Sequence, residues 1–156
     1  MTTRVEALVT DLRAVTDDVL GTVETTDPSR WQHIVPDDGR SVAVLACHIA
    51  VGYEHGRTWI QTMLAGEPLP TITPDGFDRE NEADAVRFAD GTIPEALALL
   101  REQGNALIDL VGGFSDADLD CTSVNDFFGA PGQVEKFVRI TIRHTIHHHA
   151  AMKAAG

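Results

Sequence analysis

Apolar residues recur at the helical period along most of the chain. Val5, Leu8, Leu12, Val15, Val19 and Val23 are spaced three and four apart, the stripe of an amphipathic helix, and Asp27-Pro28-Ser29 ends it. After a loop holding Trp31, Pro36 and Asp37-Asp38-Gly39, Ser41 is placed to cap a second helix. That helix runs to about Leu64, where Ala65-Gly66-Glu67-Pro68 stops it. Residues 67–91 form a long connection rich in Pro, Gly and Asp, with a short polar helix expected across Asp78–Phe88. Thr92-Ile93-Pro94-Glu95 is a capping box with proline in the first turn. It opens a third helix carrying Leu97, Leu100, Leu107 and Val111 on one stripe and closing at Gly112-Gly113. An irregular stretch, 114–132, precedes a last helix over about Gln133–Ala154. β-branched alternation never persists for five residues, so no strand is expected. Four long amphipathic helices with two long connections predict an all-α four-helix bundle, one domain over residues 1–156.

Helical phase then sorts the histidines, four of which crowd into His144-Thr145-Ile146-His147-His148-His149. At about 100° per residue, Val134, Phe137, Thr141, His144, Thr145, His148 and Met152 share one face. Glu135, Lys136, Arg139, Arg143 and Lys153 lie opposite. His144 and His148 are therefore predicted to point into the bundle, whereas His147 and His149 flank the stripe and are read as incidental. Ile146 is apolar among charges and marks a candidate subunit contact, hence a homodimer. In the second helix, Val44, Leu45, His48, Val51, Gly52, His55, Trp59, Thr62 and Met63 share a face. Tyr53, Glu54, Arg57 and Gln61 are predicted to face away from it.

Inward imidazoles are costly unless something satisfies them. A lone one is ordinarily a hydrogen-bonded core residue, but an i, i+4 pair on one helix face is also a ready metal clamp. A third histidine from a facing helix, His48, completes three protein ligands and leaves a position open, as catalytic zinc sites do. Ionisation of free imidazole near pH 6.5 predicts metal loss beginning near pH 6. His55, about 10.5 Å along its helix from His48, is read as lining the end of the bundle rather than as a ligand. Cys47 is read as a small buried thiol, Trp59 as core, and Tyr53 and Glu54 as outward residues outside any acid–base role. His33 and Cys121 carry no functional signal.

Charge and composition remove several function classes. Twenty-four acidic against twelve basic residues leave a net charge of −12, which opposes binding to nucleic acid or an anionic membrane surface. No apolar run is long enough to span a bilayer. The N-terminal residues lack a signal-peptide pattern, and two cysteines far apart suit free thiols, so a cytoplasmic protein is expected.

At these residues the chain resembles the DinB/YfiT-like metalloenzyme family, which includes the N-terminal domain of mycothiol-dependent maleylpyruvate isomerase and the bacillithiol S-transferases. The matching features are Leu45-Ala46-Cys47-His48-Ile49-Ala50 early in the second helix and the His144-Thr145-Ile146-His147-His148 pair nearly a hundred residues later. Trp31 and the Gly39-Arg40-Ser41-Val42 lead-in fit as well. The resemblance implies that His48, His144 and His148 bind one divalent metal, commonly zinc or nickel. It also implies that a low-molecular-weight thiol such as mycothiol is a candidate cofactor. The isomerase pattern has glutamate where His144 stands, so the isomerase reaction itself is not carried over. Three functions follow as expectations: a thiol-dependent transferase acting on small electrophilic molecules, a metal-dependent hydrolase, or a non-catalytic metal-binding bundle.

Overall fold

The computed structural model describes residues 1–155. Its elements are α1 (Arg4–Thr25), a 3-10 turn at Pro28–Arg30, α2 (Val42–Leu64), α3 (Pro74–Arg87), α4 (Ile93–Gly112), α5 (Asp116–Asp120), β1 (Thr122–Phe127), β2 (Ala130–Gln133) and α6 (Val134–Ala154). The helix starts are chemical. Ser41 Oγ accepts from Val44 N at 3.2 Å, and Thr92 and Glu95 exchange side-chain and backbone hydrogen bonds in the expected box. Two further boxes, Thr3/Glu6 and Ser115/Asp118, open α1 and α5.

Helices α1, α2, α4 and α6 form the four-helix bundle; α1 and α2 each pack on both α4 and α6. Leu8, Leu12, Val19 and Val23 of α1 meet Leu45, Ile49, Tyr53 and Ile60 of α2 in a common core with Leu100, Leu107 and Val111 of α4. The stripes predicted for α1 and α4 face this core, with Val5, Val15 and Leu97 half-buried at its margin. Among the described residues, no helix is long and apolar enough to cross a membrane.

Three expectations change. Tyr53 does not face outward: it is fully buried, and its hydroxyl pairs with Thr16 Oγ1 at 3.1 Å. Because α2 is wedged between α4 and α6, every residue from Val42 to Val51 is buried. A single inward direction taken from His48 cannot describe a helix buried on two sides. The stretch 114–132 is not irregular, for it contains α5 and most of an antiparallel β1–β2 hairpin. That hairpin pairs with nothing but itself, so it needs no long alternation. The polar helix of the first connection begins earlier than expected, where Thr73 Oγ1 accepts from Gly76 N and Pro74 occupies the first turn.

Candidate metal centre and cavity

His48 on α2 and His144 and His148 on α6 converge where these two helices cross. One ring nitrogen from each can be chosen so that all lie within 4.8 Å of one another. The Nε2 atoms of His48 and His144 are 3.1 Å apart, and the three rings sit 4.5–4.9 Å from each other, centroid to centroid. Two metal–nitrogen bonds of about 2.0–2.1 Å at a tetrahedral angle place their nitrogens about 3.4 Å apart. The closest pair is already near that spacing. The Nδ1 atoms of all three rings are buried without a hydrogen-bond partner. Three imidazoles, those of His48 and His148 buried and that of His144 half-buried, are thus gathered and left under-satisfied, a donor set that fits a divalent cation.

Two glycines bring the helices this close. A Cβ on Gly52 would lie 2.7 Å from His144 Cε1 and 2.8 Å from its Nδ1. One turn on, a Cβ on Gly56 would lie 2.6 Å from Thr141 Oγ1. The Gly52-x-x-x-Gly56 spacing is the sequence signal for this approach, and phase analysis placed Gly52 on the inward face without giving it a role.

Burial, first of all, makes the cationic form of each imidazole costly, and Arg40 adds repulsion. His48 is pushed down to about 3, and His144 and His148 to about 4. The fold therefore presents neutral rings with free lone pairs, the state a metal requires. Arg40 and Asp38 come from the loop before α2. Gly39, at φ +85°, turns the chain there, and Val35 N bonds to Arg40 O at 2.8 Å. Arg40 grips Asp38 through Nε at 2.6 Å and Nη2 at 2.9 Å, which holds that carboxyl below its usual range. The Asp38 carboxylate lies 3.9 Å from His148 Nδ1. A carboxylate behind a ligating histidine fixes ring orientation and tautomer. In the sequence Asp38 reads only as part of the Asp37-Asp38-Gly39 loop.

The histidines open onto a cavity of about 480 Å³ lined by residues of α2, α3, the hairpin and α6. His55 lines it, as does Trp59, which is half-buried against the cavity rather than part of the closed core. Glu80 and Asp84 of α3 reach it as well. Burial raises the Asp84 carboxyl above its normal value, with Arg87 and His55 opposing the shift. The cavity-lining residues of α2 and α6 include no carboxylate; Glu80 and Asp84 come from the connection that holds α3. Lys136, assigned to the outer face of the last helix, borders the cavity too.

The remaining candidates separate. His147 is exposed and His33 lies in an exposed loop. His149 is not incidental, since it is buried and its Nε2 pairs with Thr22 Oγ1 of α1 at 2.7 Å. That bond ties α6 to α1. Cys47 is buried and burial pushes its thiol up to about 11, well away from a reactive thiolate. Cys121 is partly buried and donates weakly to Met63 O at 3.7 Å.

Solved structures with the same architecture come from proteins of low identity. A sibling lethal factor precursor, DfsB, aligns with a TM-score of 0.77 at 21% identity, over 98% of this chain and 95% of its own. YfiT from Bacillus subtilis is described as a probable metal-dependent hydrolase with an unusual four-helix bundle topology. It aligns with a TM-score of 0.78 at 19% identity, over 97% of this chain and 85% of its own. The mycothiol-dependent maleylpyruvate isomerase aligns with a TM-score of 0.72 at 17% identity; 96% of this chain covers 61% of that one. No curated protein sequence matches the chain. The family model of the DinB superfamily matches residues 11–152, a span that holds all six helices but the first turns of α1 and the end of α6. With its bundle topology shared and its sequence matched nearly end to end, this chain belongs to the DinB superfamily.

Proposed function

We propose that this protein is a metal-dependent transferase in which His48, His144 and His148 hold one divalent ion, zinc or nickel, and a low-molecular-weight thiol attacks a small electrophile in the adjoining cavity. The observation that carries this is the convergence of three neutral, under-satisfied imidazoles at the wall of an otherwise largely apolar cavity of about 480 Å³. A cavity of that size has room for an organic reactant beside the donor atoms. When bound, the ion supplies Lewis acidity that lowers the pKa of a thiol or water near it.

The protein's own residues supply the rest. Burial holds the His48, His144 and His148 imidazoles well below their ordinary pKa, so near neutral pH they are uncharged donors. Asp38, fixed by Arg40, keeps a carboxylate 3.9 Å from His148 Nδ1, where it favours the N–H of that nitrogen. The apolar wall excludes water and favours an organic electrophile over bulk solvent. Asp84, with its raised carboxyl pKa, can take the proton that leaves the nucleophile. Resemblance to the mycothiol-dependent isomerase supports a thiol as that nucleophile.

A second function, metal-assisted hydrolysis, is favoured by the presence of Asp84 and Glu80 on the cavity, since such chemistry needs a carboxylate base. It also agrees with the description of YfiT. One experiment separates the two. Untagged protein is analysed for metal by mass spectrometry, then assayed with electrophiles and model esters, with and without mycothiol or a surrogate thiol. Thiol-dependent conjugation that disappears in His144→Ala together with the metal supports the transferase. Ester cleavage without thiol supports the hydrolase. Protein that retains no divalent metal refutes both.

A further inference from the structure

Aromatic residues are concentrated at one end of the cavity. Nine aromatics occur in the chain (six Phe, two Trp, one Tyr), and Trp59, Phe77, Phe127, Phe128 and Phe137 all line it. Their centroids form a connected set: Trp59 lies 5.1 Å from Phe127 and 5.9 Å from Phe137, while Phe128 stacks on Phe77 at 5.5 Å and 22°. These residues come from α2, α3, the hairpin and α6, so four separate segments contribute to one chamber. Along α6, Phe137 precedes His144 by seven residues, a rise of about 10.5 Å; along α2, Trp59 follows His48 by eleven, about 16 Å. Along both helices the three clustered imidazoles are thus offset from the aromatic group, beside which His55 lies 5.4 Å from Trp59.

Phe128 is the most informative of the five. It stands with Gly129 at the hairpin tip, and both have positive φ, +55° and +83°. Two positive φ angles in a two-residue loop are the type I′ geometry that ordinarily selects Asn-Gly or Asp-Gly. Phenylalanine in this conformation is strained, and the residue is 63% exposed, so core packing does not account for it. What the turn does is aim the ring at Phe77 across the mouth of the cavity. The hairpin is held in that place at two points. Asn125 exchanges two hydrogen bonds with the backbone of Leu69, at 2.8 and 3.0 Å. Gly132 lets the Phe137 ring lie against the hairpin, where a Cβ would come within 2.4 Å of Cε2.

We propose that this aromatic chamber is the specificity pocket, and that the substrate carries a flat, uncharged aromatic group several bonds away from its reacting atom. The separation of about 10 Å along α6 sets that distance. Phe128 is the specificity-determining residue, its ring closing the chamber against Phe77. The role given to the pocket rests on the metal-centred reaction proposed above, but its occupancy does not require the metal.

Binding is therefore tested first on metal-free protein, using 4-nitrobenzyl alcohol, a neutral nitroaromatic that quenches tryptophan, with tert-butanol as the non-aromatic control. Saturable quenching that is lost in Trp59→Phe, leaving only the Trp31 signal, is expected. Phe128→Gly should weaken it roughly five- to tenfold, as loss of one aromatic partner does. The same variant should melt no lower than the parent, because glycine relieves the positive φ. Quenching that rises linearly without saturation overturns the proposal. So does an affinity unchanged in Phe128→Gly, or equal competition by tert-butanol. Metal content is measured in parallel: saturable aromatic binding by a protein that never retains metal upholds the pocket and refutes the metal-centred function. Retained metal with no aromatic binding does the reverse.

Discussion

Gly52 offers a test in which the site should respond strongly and the fold hardly at all. In Gly52→Ala the new methyl carbon would meet His144 Cε1 at 2.7 Å and Nδ1 at 2.8 Å. Ordinary carbon contacts begin near 3.4 Å. The imidazole must therefore withdraw by about 0.7 Å, several times the roughly 0.2 Å that a metal site tolerates in its bond lengths. His144 cannot then share an ion with His48 and His148 in the geometry described. Metal affinity should fall by at least 10- to 100-fold, the cost of disturbing even an indirect partner of a metal.

Stability should barely move. Alanine in a helix interior gains about 0.5–1 kcal/mol over glycine, and a displaced ring costs about 0.5–1.5 kcal/mol in rotamer strain. Competition titration with a chromophoric chelator gives the affinity, and urea unfolding in chelator gives the metal-free stability. Gly21→Ala in α1 is the matched control, since nothing lies within 4 Å of a Cβ there. A Gly52→Ala protein that binds metal as tightly as the parent would refute the assignment of His144 as a ligand.

Other outcomes follow from neighbouring contacts. Asp38→Asn should lower metal affinity by about 10- to 100-fold while leaving the helices intact by circular dichroism, because the carboxylate behind His148 is lost. Tyr53→Phe should cost about 0.5–1.5 kcal/mol in urea unfolding through the lost Thr16 bond, whereas an outward tyrosine would cost nothing. For acid stability, His48 at about 3 and His144 at about 4 bind protons less readily folded than at the unfolded 6.5. The stability they permit is full above pH 6.5 and is lost as pH falls toward 4, by about 2 kcal/mol per histidine at pH 5. Urea midpoints of metal-free protein at pH 7.5 and 5.0 measure this, and a flat profile would show the rings to be solvated. The same burial shifts the expected loss of metal from near pH 6 to below pH 5, coincident with unfolding, as metal analysis after dialysis at each pH will show.

Periodicity revealed the bundle because α1, α4 and α6 each bury one stripe, and one phase angle describes such a helix. His48, His144 and His148 converge in the direction that phase expected because all three lie on the α2–α6 contact. Periodicity failed at Tyr53 because α2 is buried on two sides, so a residue facing away from His48 still faces α4. It failed at His149, whose partner is Thr22 on α1, because a side direction on α6 is also a helix contact. Nothing periodic marks Asp38, Asp84 or the hairpin. Their positions depend on where two connections fold back, and a self-paired ribbon of short strands leaves little alternation to detect.

The division between what periodicity shows and what it hides coincides with a division in the site. The histidines stand on α2 and α6, inside the packed bundle, where displacing a ring disturbs the core. Much of the aromatic wall and both cavity carboxylates stand on α3 and the hairpin, which pack on the bundle without being part of it. Residues of α3 are half-buried or exposed throughout, and none of them is needed for the core. Substitutions there can reshape what the cavity accepts at little cost in stability and without moving the histidines, whereas a side chain at Gly52 displaces His144. The sharpest expression of this is a double variant, Phe77→Leu with Phe128→Gly. It should keep parental metal affinity and lose no more than about 1 kcal/mol of stability, since both rings are partly exposed, yet lose its preference for aromatic over aliphatic ligands. Metal affinity falling in step with that preference would show the two ends of the cavity to be one cooperative unit, and the separation argued from the fold would be wrong.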